Sequence, residues 1–189
     1  MTTELLKNAF DLFYPFPLSF WKKITELGEV ITVDSEHIIK EHDKTEQYLY
    51  YIIEGSGGIL LWNNNNFVCS DMCLNGEFFC DYYSFVTQMP TPYQVITFEK
   101  SVLFRISHSR LSTFLNENGY DNLFWRHALQ ALFTDKHNQY IQSFLLTAEG
   151  CYRLILEHNP EIIKRIPQKY IASYLGITPQ SLSRIRRSI

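Results

Sequence analysis

The chain contains no run of eighteen apolar residues, which excludes a membrane-spanning helix of ordinary length. Its four cysteines, Cys69, Cys73, Cys80 and Cys151, form no CxxC pair, so neither a zinc ribbon nor a thioredoxin-type site is expected. Seven prolines and eight glycines in 189 residues are too few for a fibrous or disordered chain. The opening MTTELLKNAFDLFYPF puts acids and polar groups where a signal peptide needs a basic start and an unbroken apolar stretch. A cytoplasmic protein is expected. No Ser-His-Asp order, P-loop or HExxH motif occurs, and the expectation is a protein that is not an enzyme.

Two further absences concern charge. From Thr45 through Glu99 there is no Lys or Arg, although the stretch carries Glu46, Glu54, Asp71, Glu77, Asp81 and Glu99. After Glu161 there is no acid. Residues 162–189 carry Lys164, Arg165, Lys169, Arg184, Arg186 and Arg187, whereas the preceding residues hold eleven basic side chains against all twenty acids. The net charge of −3 hides this asymmetry, which points to a polyanion partner for the tail and a different task for the body.

What is present divides by period. The first 27 residues read as two helical pieces broken at Pro15 and Pro17, with Leu5, Leu6, Ala9, Phe10 and Phe13 on one face of the first. From Gly28 to Phe104, β-branched and aromatic runs alternate with turn clusters: EVITV, YLYYIIE, GGILLW, NFVCSDM, YQVITF and SVLFRI. Asn63 to Asn66 supply residues that tolerate positive φ at a hairpin turn. With no period of 3.6 interrupting it, this block is expected to close as a small antiparallel barrel or jelly roll. Helix returns at SHSRLSTFL. A long helix follows over 122–146, with Trp125, Leu129, Leu132, Phe133, Tyr140, Ile141, Phe144 and Leu145 three, four and seven apart. It packs either on its own barrel or on the same helix of a second copy. A shorter helix, AEGCYRLILEHN, is expected to end at Pro160.

The tail QKYIASYLGITPQSLSRIRRSI reads as two short helices joined by a tight turn. Ile171, Leu175, Ile177, Leu182 and Ile185 supply a shared core, Ala172 allows close approach, and Gly176 relieves the turn. Thr178 caps the second helix and Pro179 takes its first position. This is a helix-turn-helix pattern. With the second helix in a major groove, Gln180, Ser181 and Arg184 face base edges, and Arg184 can offer two donors to guanine O6 and N7. Lys169, Thr178, Arg186 and Arg187 lie where contacts go to phosphate; the two terminal arginines also complement a helix C-terminus.

A strand-rich block containing YIIEGSGGILL, a long helix after it and a C-terminal IPQKYIASYLGITPQSLSRIRR together resemble the Crp/Fnr transcription regulators, and most nearly the short members of that family from Bacteroidetes bacteria. The resemblance implies an α+β chain: a double-stranded β-helix sensor of the cyclic-nucleotide-binding type over 1–119, a dimerisation helix over 120–146 and a DNA-binding helix-turn-helix over 147–189. The partners it implies are double-stranded DNA and a second copy of the chain, with RNA polymerase where the regulator activates. Trp125, Leu129, Leu132, Phe133, Tyr140 and Phe144 would form the dimer seam. Family members usually add a β-hairpin wing after the recognition helix; a helix-turn-helix without an evident wing is expected here.

Cyclic-nucleotide binders of this family hold the ligand in a cassette that starts at Gly-Glu and carries an arginine for the cyclic phosphate. NGEFFCDYYSFVTQMPTPYQV stands at that place, with Glu77 or Asp81 as ribose acids and no arginine near Thr91 or Pro92. A phosphate buried among carboxylates without a countercharge would cost several kcal/mol, roughly, so the usual cyclic-AMP mode is not expected. Glu77, Phe78, Asp81, Tyr82 and Tyr93 are the candidate pocket residues for an uncharged effector; the aromatics among them would equally fill the core. Cys69, Cys73 and Cys80 match no cluster spacing, and with His37 or His42 they are weighed as ligands against core cysteines; no metal or cofactor is expected. The competing reading is a cupin-like binding protein or enzyme with a helical cap, for which only His37 and His42 stand in the strand block.

Overall fold

The computed structural model describes residues 1–64 and 66–189. Two helices, α1 (Thr2–Asp11) and α2 (Leu18–Leu27), precede eight strands: β1 (Glu29–Val33), β2 (Ile38–Lys40), β3 (Tyr48–Glu54), β4 (Ser56–Asn63), β5 (Asn66–Leu74), β6 (Phe78–Phe79), β7 (Tyr93–Thr97) and β8 (Ser101–Ser107). A short helix, α3 (Tyr82–Thr87), lies between β6 and β7. The strands form two four-stranded antiparallel sheets, ordered β1-β8-β3-β6 and β2-β7-β4-β5. The strand block is therefore a jelly-roll sandwich rather than a closed barrel. The β4–β5 hairpin pairs Asn63 with Asn66, and Asn64 takes φ +55°; Asn65, part of the expected asparagine turn, lies outside the described residues.

Both faces of each sheet are covered, which explains why the strands read as apolar runs rather than clean alternations. In β3, Tyr50 and Ile52 share a face with Leu103 of β8 inside the sandwich, while Leu49 and Tyr51 lie with Phe104 and Ile106 on the face that meets α1 and α2. Phe10, Phe16, Phe20 and Trp21 pack on that outer face.

Five helices follow α4 (His108–Glu117) among the described residues: α5 (Asp121–Leu145), α6 (Ala148–His158), α7 (Pro160–Arg165), then the helical hairpin α8 (Gln168–Tyr174) and α9 (Pro179–Ser188). The 25 residues of α5 extend about 37 Å. A second core joins the outer face of the other sheet to these C-terminal helices, with Leu60, Met72, Ile96 and Phe98 against Tyr152, Ile166, Tyr170 and Ile171. Phe98 lies flat there because β4 has glycine beneath it: a Cβ on Gly58 would sit 2.3 Å from the Phe98 ring. Gly58→Ala is accordingly expected to destabilise the protein by about 1–3 kcal/mol through overpacking, read as a lower urea midpoint.

Three local expectations are corrected. A helix does interrupt the strand block: six residues, YYSFVT, are too few to show a period, but the Asp81 side chain accepts from Ser84 N–H and caps them, and Gln88 ends them at φ +54°. β2 and β6, three and two residues long, left no run to detect. Pro160 opens α7 rather than leading straight into the tail, since proline at a first helical position has no hydrogen bond to lose.

Candidate nucleic-acid interface and sensor cassette

The hairpin α8–α9 has the geometry its residues suggest. Gly176 takes φ +67° in the turn, and the Thr178 hydroxyl accepts from Ser181 N–H at 3.2 Å to cap α9. Ile171, Ala172 and Leu182 are fully buried, with Leu175, Ile177 and Ile185 half-buried around them. The opposite side of α9 exposes Gln180, Arg184 and Arg187, with Thr178 and Arg186 also in solvent. Ser181 is half-buried and its hydroxyl lies 3.1 Å from that of Thr178. Among the described residues no carboxylate pairs with Arg184, Arg186 or Arg187. Lys169 stands apart from these: its ammonium pairs with Glu36 of the sandwich at 2.6 Å and lies over the Tyr170 ring.

The hairpin is fastened to the sandwich by specific contacts. Tyr170 stacks on Phe98 with ring centres 4.2 Å apart. Ser173 accepts from the free N–H of Cys69 on the edge strand β5 at 2.9 Å. Arg165 donates to Glu99 at 2.6 Å, to the Gly55 carbonyl at 2.7 Å and to Asn75 at 2.6 Å. No motif marks Arg165 for this role; only the approach of α7 to the β7–β8 connection does.

Helix α5 presents two faces. Phe124 is buried against α1 and α2, and Trp125 lies over α3, its ring centre 6.3 Å from Tyr82 and 6.1 Å from Phe85. Lys136 ties the helix to Asp71 of β5 at 2.6 Å. The other face carries Leu129 (47 % exposed), Phe133 (70 %), Tyr140 (63 %) and Phe144 (71 %) at spacings of four, seven and four, a stripe of large apolar groups in solvent. Leu132 is half-buried beside it.

At the cassette the candidate residues do not converge on one cavity. Glu77 is exposed and its carboxylate turns back to accept from Leu74 N–H. Phe78 lies on the helix side of its sheet, between Phe10 and Tyr51. Tyr82 faces Trp125, and Tyr93 contributes its carbonyl. A cleft of about 540 Å³ lies elsewhere, between α2 and α4, bordered by Phe20, Lys23, Arg110 and Tyr120.

Asp81 is buried, and it holds a cation. The Lys40 ammonium reaches in from β2 and donates to Asp81 at 2.7 Å, to the Thr91 hydroxyl at 2.9 Å and to the Tyr93 carbonyl at 2.7 Å. Thr91 in turn donates to Asp81. Lys40 is 5 % exposed, and its three N–H donors are all engaged. The charge absent between Thr45 and Glu99 thus arrives from just outside that stretch, beside the position where the resemblance puts the arginine. Next to it Glu46, 1 % exposed, accepts from Gln47 and Tyr48 N–H at 3.0 and 3.1 Å. Burial pushes its carboxyl up to about 7, against the backbone N–H groups of Tyr48 and Asp81 and the Lys40 charge, which favour ionisation. Ser84, fully buried, donates to the Met89 carbonyl and accepts from Glu46 N–H.

Cys69 and Cys73 on β5 and Cys80 just after β6 are buried, whereas Cys151 is half-buried on α6. Burial pushes the Cys69 thiol up to about 12 and those of Cys73 and Cys80 well above the ordinary range, so all three are thiols rather than ligand-ready thiolates. His42 pairs with Asp43 and lies by Trp62. Among the described residues no group of three or more His, Cys, Asp or Glu side chains could hold a metal ion, and no helix is long and apolar enough to cross a membrane.

Residues 33–118 match the family model of the cyclic nucleotide-binding domain. No curated protein sequence matches the chain. Among solved structures it is similar to CLP of Xanthomonas campestris, described as a c-di-GMP-responsive global regulator, at TM-score 0.71 and 14 % identity over 91 % of each chain. FixK2 of Bradyrhizobium japonicum is similar at TM-score 0.70 and 14 % identity, over 85 % of this chain and 83 % of that one. The catabolite activator protein of Thermus thermophilus is similar at TM-score 0.55 and 13 % identity, over 94 % and 85 %. At such identities the likeness establishes the fold. Residues 33–118 thus match the cyclic nucleotide-binding domain, and the chain has a mixed α+β fold whose structural neighbours are Crp/Fnr-type regulators.

Proposed function

We propose that the protein is a homodimeric, sequence-specific DNA-binding transcription regulator of the Crp/Fnr type, acting in the cytoplasm and not as an enzyme. The observation that carries this reading is the solvent face of α9, where Gln180 and Arg184 have no side-chain partner among the described residues and stand beside Arg186 and Arg187. Residues 1–119 serve as the sensor, 120–146 as the dimer helix and 147–189 as the DNA-binding unit. Gln180, Ser181 and Arg184 read bases, Arg184 by two donors to a guanine; Thr178, Arg186 and Arg187 meet phosphates. Lys169 joins them once released from Glu36. Two-fold symmetry sets the half-sites about 34 Å apart. The sensor does not hold cyclic AMP through an arginine-anchored phosphate.

Selection of the purified protein on random DNA at two salt concentrations tests this reading. Enrichment of a palindrome is expected; sequence-blind binding that disappears with salt would reduce the tail to an electrostatic patch. For the dimer, the stripe on α5 is the support. Phe133→Glu is expected to convert the dimer to monomer in sedimentation at micromolar protein, because a charge would be buried at the seam. An unchanged sedimentation coefficient would move the interface elsewhere.

A further inference from the structure

A buried ammonium with all its donors used cannot also bind a ligand anion. Lys40 is in that state, and its acceptors come from three places: Asp81 at the N-cap of α3, Thr91 in the connection to β7, and the Tyr93 carbonyl on β7. One side chain from β2 therefore closes both ends of the α3 segment. Around it stand Ser84, which accepts from Glu46 N–H and donates to the Met89 carbonyl, and Gln88, whose amide donates to the carbonyls of Glu46 and Phe85. Every hydrogen bond in this set is internal. On its outer side α3 meets Trp125, so the segment that Lys40 fixes is also the seat of α5.

We propose that Lys40 is a built-in occupant of the cassette: its ammonium takes the place of an effector, locks α3 against Trp125, and makes the sensor effector-independent and closed to cyclic nucleotides. This deepens the sensor reading above and rests on it. The chemistry is that of a tethered cation meeting a fixed carboxylate. Asp81 is 2 % exposed and would be left as an uncompensated buried charge without Lys40. Since the lysine is covalently part of the chain, its local concentration does not vary, and the arrangement has no empty state to be filled.

The test is hydrogen exchange of α3 in the full chain, read by mass spectrometry for wild type, Lys40→Met and Lys40→Met/Asp81→Asn, each with and without 1 mM cyclic AMP. Wild-type α3 is expected to exchange slowly and identically with and without the nucleotide. Lys40→Met is expected to speed α3 exchange by about a hundredfold while β3 and β8 stay protected. The double variant, which removes both charges and keeps an asparagine cap, is expected to recover to within about tenfold of wild type. Slowing of wild-type α3 by cyclic AMP, or unchanged exchange in Lys40→Met, would overturn the proposal. Should Lys40→Met not fold, Thr91→Val leaves the ion pair in place and removes one ring member; it is expected to speed α3 exchange about tenfold, and no change would count against the lock. Exchange is read without DNA. Failure to enrich a palindrome would therefore sink the regulator reading and leave the lock standing, whereas fast α3 exchange beside intact operator binding would sink the lock alone.

Discussion

Arg184→Ala is expected to lower the preference for the selected operator over random DNA by about 10- to 100-fold, with little change in stability. A bidentate arginine–guanine contact is worth about 1–3 kcal/mol of discrimination, and loss of both donors removes it. Arg184 is exposed and has no partner among the described residues, so the substitution leaves no buried partner there unsatisfied. Arg187→Ala is the contrast: removing a phosphate-binding charge should weaken binding to all sequences alike and reduce the salt slope by about one. Titration of fluorescent operator and scrambled duplexes at two salt concentrations separates the two. Full discrimination in Arg184→Ala would remove that residue from base reading.

Stability is expected to fall by about 3 kcal/mol as the pH rises from 4.5 to 7, through Glu46 alone. The sign follows from the direction of the shift. Burial raises the folded-state carboxyl from 4.5 to about 7, so the folded protein binds a proton across that range that the unfolded chain has released. The contribution is complete below the unfolded value and is lost as the pH passes through the folded one. Lys40 and Asp81 are the charged groups facing Glu46, with Tyr50 and Cys80 as neutral neighbours. Glu46→Gln imitates the protonated carboxyl and keeps an acceptor for Gln47 and Tyr48 N–H. Urea unfolding across this range should therefore be flatter for the variant than for wild type. Parallel curves would place the titration elsewhere. Because the Glu46 carboxylate accepts from Asp81 N–H at the start of α3, the same variant also reports on the cassette.

Arg184 and Lys40 stand at opposite ends of what residue order reveals. The helical hairpin that presents Arg184 was legible because its pattern is local: Ala172, Gly176, Thr178, Pro179 and Leu182 each satisfy a steric or hydrogen-bonding need within a few residues. Lys40 was not, because nothing in DSEHIIKEHD marks it as a core residue, and its three acceptors lie 41 to 53 positions away. A charged residue near a turn reads as solvated until the fold brings partners to it. The candidate pocket shows the same limit. Glu77, Phe78, Asp81 and Tyr82 are close in sequence, yet period-two alternation at β6 and the start of α3 send them in different directions.

Where a segment's conformation is governed by its own neighbours, residue order sufficed. EVITV and YLYYIIE are β1 and β3, and the helix expected over 122–146 is α5 at 121–145, since long apolar runs and sustained helical spacing outweigh their surroundings. Tertiary structure alone decided the rest: that two sheets stack instead of closing, that α8 docks on Phe98 and the free edge of β5, that α5 keeps one apolar face for its own sandwich and leaves the other in solvent, and that a lysine fills the cassette. Each is a meeting of groups distant along the chain. Its free energy comes from burial and from hydrogen bonds that exist only after the loops between them have closed.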